Sequence, residues 1–442
     1  MVRVGHLSTY SIGGAAIAAR RLHDGLLRAG AESRFWHGED PVNHVDDPTF
    51  APLPQTTPSS NVLIKPFQRH WERLRRRRAR RNWRQHLEHR PAGFEVFSSP
   101  QLFKSAVPDW SRVDCDVVHL HWVAFLIDYP GFFASLPPRK PLVWTLHDQA
   151  PFTGGCHYSS GCERFRGRCG ECPQVAMSGP QDASRHGFDV KRRAMRGRSP
   201  HVVTPSRWLG QLAQQSSIWP TNTEFSVIPY GLDLEVHRPV DGRAVRREFG
   251  IEPHEFTFVF GAEDIANRRK GMPHLGKALW SLPAQENWHA LVFGDGELPD
   301  LPPWLRVHRL GYVRDDERKV ACLSAGDIFV LPSLEDNQPQ TGLEALACGT
   351  PVVAFAAGGI PEYVREGETG WLAPVGNVSA LAGALLGAAA NTEHRHRLSQ
   401  QGRLMMQREF PLALQASRML DLYASLLAGT TLSASTTRRR AA

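Results

Sequence analysis

The sequence predicts an α/β protein built from two parallel-sheet, Rossmann-like domains in series. At 442 residues the chain exceeds what one hydrophobic core usually organises, so two domains of roughly 200 residues each are expected. A hydrophobic content of 41% is enough for globular packing. Short apolar runs alternate with helical patterns from end to end, the mark of parallel βαβ units.

In the first half, VRVGHLS reads as a strand and AAIAARRLHDGLLRAG as an amphipathic helix closed by Gly30. CDVVHLHWV and PLVWTLHD are two further strands ending in histidine, and HVVTPS follows. The second half starts near FSVIPYGLDLEVHRPV, with FTFVFGA, HALVFGDGE, DIFVLPS and TPVVAFA as strands and MPHLGKALWSL and GLEALAC as helices. The expected division is 1–222 for the first domain, 223–409 for the second, 410–428 for a helix returning to the first, and 429–442 for a Ser/Thr-rich disordered tail. Residues 40–110 read as an irregular, Pro- and Arg-rich insertion, and 147–175 as a Cys-rich loop. Two such domains form a cleft where the carboxyl ends of both sheets face each other.

The formal charge of +8 is concentrated in RLRRRRARRNWR, Arg73 to Arg84. Such a run suits an anionic surface, whether nucleic acid, acidic lipid or a phosphorylated acceptor, or else a solvated helix face. The N-terminus lacks the apolar core of a signal peptide and no window reaches a membrane span, which places the protein in the cytoplasm, with peripheral contact to an anionic inner membrane face as an option. Seven cysteines in a reducing compartment argue against a disulfide framework.

The stretch LEDNQPQTGLEALACGTPVV carries Glu335, Asp336 and Glu344 around a loop that runs into a short helix from about Thr341 to Gly349. The first-turn amides of Gly342 and Leu343 would then be unsatisfied and open to a phosphate. Thr341 to Glu344 also spells the T-x-x-E capping box, in which Glu344 merely bonds the Thr341 amide.

The longer run from PSLEDNQPQTGLEALACGTPVV through GGIPE to GETGWL resembles the donor-binding signature of GT-B glycosyltransferases of family 4. The resemblance extends to VIPYGLDLEVHRP, RRKGM, VFGDGE and GGAAIAARRLHDGL, which is nearly the whole chain apart from the Arg-rich insertion and the tail. It implies a GT-B fold and a retaining, hexosyltransferase-type enzyme that takes a nucleotide sugar and needs no catalytic metal. Two carboxylates separated by seven residues are implied to hold the donor: Asp336 the transferred sugar, where the family usually has Glu, and Glu344 the ribose. Glu335 is a neighbour able to compensate. Lys270 matches a phosphate-contacting lysine that stabilises charge on the departing β-phosphate. Ala262 stands where the family commonly has arginine, leaving Arg268 or Arg269 to reach the phosphates. Gly13 and Gly14, in the first strand-to-helix loop, would let backbone approach the donor phosphates or the acceptor closely, Gly294 is expected on the donor side, and Gly342 and Leu343 against the donor phosphates.

In the first half, His147 of WTLHD matches a histidine near the reacting centre. His119 and His121, two apart on one strand face, together with Asp148, are expected on the acceptor side, although satisfied structural histidines are equally common. Cys156, Cys162, Cys169 and Cys172 lie in GGCHYSSGCERFRGRCGECPQ, beside LHDQAPFTGG. They resemble a Cys-rich loop of exopolysaccharide and colanic-acid-type bacterial members of the family. Four thiolates suit one structural zinc; free thiols or a disulfide are the alternatives.

The implied acceptor is a glycan or lipid-linked hydroxyl. Two rival functions are a catalytically degenerate sugar-binding protein and a Cys-cluster nucleic-acid binder. The arginine run interleaves mainly Trp71 and Trp83, too few aromatics for stacking, so no nucleic acid is expected. A glycoside hydrolase would need its carboxylates across a scissile bond, whereas Asp336 and Glu344 flank a nucleotide site.

Overall fold

The computed structural model describes residues 1–38, 47–56, 83, 85, 87–101 and 107–440, with side chains described to 429. The Arg73–Arg84 run, and with it the anionic-surface expectation, lies outside the described residues apart from Trp83. The chain divides into two compact units. One comprises Met1–Pro205, Leu209–Ile228 and Ala416–Ala442, and the other Ser206–Trp208 and Pro229–Gln415.

The first unit holds a seven-stranded sheet. Its strands are β1 (Arg3–Ser8), β2 (Glu32–His37), β3 (Phe50–Pro52), β6 (Val117–Leu120), β7 (Leu142–Thr145), β8 (His201–Thr204) and β9 (Phe225–Val227). A separate two-stranded ribbon pairs β4 (Gln55–Thr56) with β5 (Val107–Pro108). The large sheet runs β3-β2-β1-β6-β7-β8-β9, and every pairing in it is parallel. Parallel strands need crossovers, and α1 (Gly14–Arg28) supplies the first, ending before the left-handed Gly30. Strand β3 corrects the reading of 40–110 as irregular: FAP is too short to show a period, and pairing with β2 makes it a strand.

The second unit holds a six-stranded parallel sheet of β10 (Phe256–Asp264), β11 (Trp288–Asp295), β12 (Arg306–Gly311), β13 (Ile328–Leu331), β14 (Val352–Phe355) and β15 (Gly370–Ala373), in the order β12-β11-β10-β13-β14-β15. Strands β13 and β14 are buried throughout, which explains their unbroken apolar sequence.

The strand order of each sheet reverses once, between β1 and β6 in the first unit and between β10 and β13 in the second. At such a switch point adjacent loops diverge and leave a crevice beyond the carboxyl ends of the strands.

The last helix, Leu412–Arg440, brings Ala416, Met419 and Tyr423 into the core of the first unit with Val4, Leu22, Val117 and Val143. Its backbone is helical to Arg440, across the stretch expected as a disordered tail. Among the described residues no helix is long and apolar enough to cross a membrane.

Candidate donor site and histidine cluster

The second unit gathers charge at its switch point. After β10 the chain turns through a short 3-10 segment, Arg268–Lys270, that starts when the Asn267 side chain accepts from the Arg269 amide at 3.0 Å. It ends at Gly271, left-handed with φ of 75°, where an added Cβ would lie 1.7 Å from the Pro332 carbonyl oxygen. That approach locks the segment onto the loop after β13, and the Leu334 amide donates to Arg269 O at 2.8 Å. Lys270 Nζ consequently stands 2.7 Å from Asp336 Oδ2, and the Arg269 guanidinium 3.0 Å from the same oxygen. Ser333 Oγ donates to it at 3.2 Å. Asp336 is 5% exposed, yet burial, which would raise its carboxyl, is outweighed by the two cations, so it is held well below the usual carboxylate range. Arg268 is exposed and takes no part in this cluster.

Glu344 keeps other company. It is 2% exposed, with its Oε1 3.3 Å from Lys319 Nζ and 3.8 Å from His237 Nε2. Its helix spans Gln340–Ala347 with Pro339 as N-cap. The Thr341 capping box therefore does not form: Thr341 lies inside the first turn, and the true cap residue has no amide for Glu344 to bond. The Gly342 amide donates to Pro339 O at 3.2 Å, which corrects the expectation that it is unsatisfied. Glycine is required at 342 because an added Cβ would meet the Tyr363 hydroxyl oxygen at 2.5 Å. Leu343 is buried beside it, and Glu335 is half-buried with its carbonyl accepting from Arg269 at 2.9 Å. Gly294, with φ of 119°, abuts the Ala262 carbonyl, which an added Cβ would meet at 1.7 Å.

The first unit gathers histidines at its own switch point. His6 on β1 and His119 on β6 are register partners. His6 Nδ1 lies 2.9 Å from His121 Nε2, and His121 Nδ1 lies 3.1 Å from His147 Nε2. His119 spends both ring nitrogens, on the Tyr423 hydroxyl and Thr145 Oγ1, each at 2.7 Å. Burial pushes His119 down to about 3 and His147 to about 4, and His6 and His121 well below the usual imidazole value. The cluster is thus a neutral hydrogen-bonded relay. His119, 0% exposed and fully bonded, lines no acceptor surface, contrary to expectation.

His121 and His147 border a cavity of about 20 Å³, room for one water. Asp148 borders the same cavity. Its Oδ1 accepts from the Ala150 amide at 2.8 Å and its Oδ2 from Trp122 Nε1 at 2.7 Å, with His157 Nδ1 2.6 Å away, so it pins its own turn. Gly13, with φ of 88°, caps α1, whereas an added Cβ at Gly14 meets nothing within 4 Å.

Sequence reasoning missed His6, Lys319, His237 and Tyr423. His6 is detectable as a third strand-borne histidine, but the others come from distant segments with no local signal.

A family model described as glycosyl transferases group 1 matches residues 255–391. The chain is 30% identical over 220 residues to a D-inositol 3-phosphate glycosyltransferase of Corynebacterium glutamicum, covering 46% of this chain and 52% of that one. It is 30% identical over 223 residues to an alpha-maltose-1-phosphate synthase of Mycobacterium tuberculosis, covering 46% and 57%. The chain thus spans about half the length of the curated relatives it matches. Among solved structures, a sucrose-phosphate synthase from Thermosynechococcus elongatus aligns with a TM-score of 0.64 at 19% identity, over 97% of this chain and 100% of that one. HepE of Anabaena, in complex with UDP and glucose, aligns with a TM-score of 0.63 at 16% identity, over 96% and 100%. Two parallel-sheet units of the GT-B fold therefore make up this chain, and the stretch similar to glycosyl transferases group 1, residues 255–391, holds Lys270, Asp336 and Glu344.

Proposed function

We propose that the protein is a retaining glycosyltransferase that moves a sugar from a nucleotide-sugar donor to a hydroxyl of a glycan or lipid-linked acceptor, as in bacterial polysaccharide assembly. The observation that carries this reading is the convergence of Lys270 and Arg269 on Asp336 at the switch point of the unit that matches the family. Breaking the anomeric C–O bond leaves negative charge on the β-phosphate, and two preplaced cations lower that barrier electrostatically. Asp336 holds the cations in position until the donor diphosphate takes a share of the Lys270 ammonium. The ionised Asp336 then accepts from hydroxyls of the transferred sugar, and Glu344 from those of the ribose. The acceptor oxygen attacks on the face the phosphate leaves, and its proton passes to a phosphate oxygen. No nucleophilic carboxylate and no catalytic metal are needed on this route. His147, neutral above about pH 4, serves the reacting centre as a hydrogen-bonding group rather than a cation. Nucleotide sugars place this chemistry in the cytoplasm.

HepE is captured with UDP, so a uridine diphosphate sugar is the first donor to test. Thermal unfolding with UDP, GDP, ADP and TDP checks the reading: a nucleotide at a hundred times its dissociation constant adds about 2.7 kcal/mol. Stabilisation by one of the four, lost in Lys270→Ala, is expected. No response to any, from a folded protein, overturns the donor site.

A further inference from the structure

The loop between β7 and β8 holds Cys156, Cys162, Cys169 and Cys172, which the donor site does not use. All four border one cavity of about 20 Å³ in the first unit. Cys156, Cys169 and Cys172 are buried and Cys162 half-buried, and none is in a disulfide. The backbone spends unusual conformations to bring them there. Gly170 and Glu171, between the cysteines of the C-x-x-C turn, have φ of 140° and 47°, and Ser160 and Gly161, just before Cys162, have 50° and 82°. Backbone donors face the sulfurs, the Gly154 amide toward Cys169 and the Gln174 amide toward Cys172.

Cations surround the same loop. Lys191 is 1% exposed and donates to the carbonyls of Ala150 and Thr153. Arg185 donates to Cys169 O, and Arg90 to Gln174 O at 2.8 Å. A buried ammonium requires anions nearby. Asp148 is one; four thiolates around a divalent ion would supply two further negative charges.

We propose that the four cysteines bind one zinc ion in a tetrahedral thiolate site that fixes the turn carrying His147 and Asp148. Hydrogen bonds link the two: Lys191 ties Ala150 and Thr153, and the Gln149 amide donates to His157 O at 2.9 Å. Zinc–sulfur bonds of about 2.3 Å set sulfur separations of about 3.8 Å. No three of the four sulfurs lie within 4.8 Å of one another, a spacing that among the described residues only His6, His119 and His121 reach, so the proposed site requires the cysteine loop to close on the ion. His6 and His121 are already bonded to each other, and His119 to Tyr423 and Thr145. Binding releases the thiol protons to solvent, with no change of oxidation state.

The site stands or falls independently of sugar transfer. The full chain, produced with zinc and purified without chelator, is expected to hold about one zinc per chain. Grown on cobalt, it should show the sulfur-to-cobalt absorption and visible bands of a tetrahedral thiolate centre. The paired substitution Cys169→Ser with Cys172→Ser should abolish both signals, and Cys322→Ser, a cysteine on another unit, should keep them. If the paired variant does not fold, the wild-type cobalt spectrum decides. Wild-type protein with far less than one zinc per chain, with all four thiols free or two of them joined as a disulfide, overturns the site.

Discussion

Lys270 Nζ lies 2.7 Å from Asp336 Oδ2, although 65 residues separate them in sequence and the carboxylate is almost fully buried. The pair depends on Gly271 and on Arg269, which meets the same oxygen. Lys270→Ala removes one charge-assisted hydrogen bond, about 1.5–3 kcal/mol, so transfer should fall roughly ten- to hundredfold. Steady-state kinetics on a responsive donor check this. Arg269 still neutralises Asp336 in the variant, and its melting temperature should therefore fall far less than that of the double variant Lys270→Ala, Arg269→Ala.

Gly294 and Gly14 should separate folding from binding. At Gly294 a methyl group meets the Ala262 carbonyl and the backbone is left-handed, so Gly294→Ala should destabilise by at least about 1–3 kcal/mol in denaturant unfolding. At Gly14 the folded chain leaves space, and Gly14→Ala should leave stability unchanged or slightly raised. Weaker nucleotide binding by that variant would mark a ligand approaching Gly14, and unchanged binding would remove it from the donor site.

Much of the fold was legible because buried parallel strands are written as short apolar runs. DIFVLPS and TPVVAFA became β13 and β14 within a residue or two. That Lys270 and Asp336 each sit in a compact local motif was legible too. What sequence could not show is which partner each charge chooses. Glu344 meets Lys319 and His237, and His119 meets Tyr423 from 304 residues away, because tertiary packing alone brings those segments together. Asp148 borders the same cavity as His147, but its bonds to the Ala150 amide and Trp122 come from packing that the sequence does not display.

The neutral histidines make stability depend on pH. Their folded values lie below the ordinary value of about 6.5, so between the two the unfolded chain binds more protons. Stability should be fully present above about pH 6.5 and decline as pH falls toward about 4 for His147 and about 3 for His119, at up to about 1.4 kcal/mol per unit for each imidazole. Asp336 adds a separate loss only below about pH 4. Urea unfolding at pH 7 and pH 5 checks the slope, which His119→Gln should flatten by about one proton.

Tyr423 ties the end of the chain to the first sheet. Its hydroxyl lies 2.7 Å from His119 Nδ1, its ring is 0% exposed, and Ala416 and Met419 share the same core. Tyr423→Phe keeps the ring but leaves a buried nitrogen of His119 unsatisfied, a cost of about 1–3 kcal/mol. Deleting everything after Pro411 also exposes the apolar faces that Met419 and Tyr423 cover, and the first unit should then fail to unfold cooperatively. Ending the chain after Gly429 retains all three core residues and should leave the melting temperature nearly unchanged. Calorimetry on the three proteins distinguishes a packed terminal helix from a dispensable one: equal melting curves for the wild type and the chain ending at Pro411 would show that the helix contributes nothing to this core.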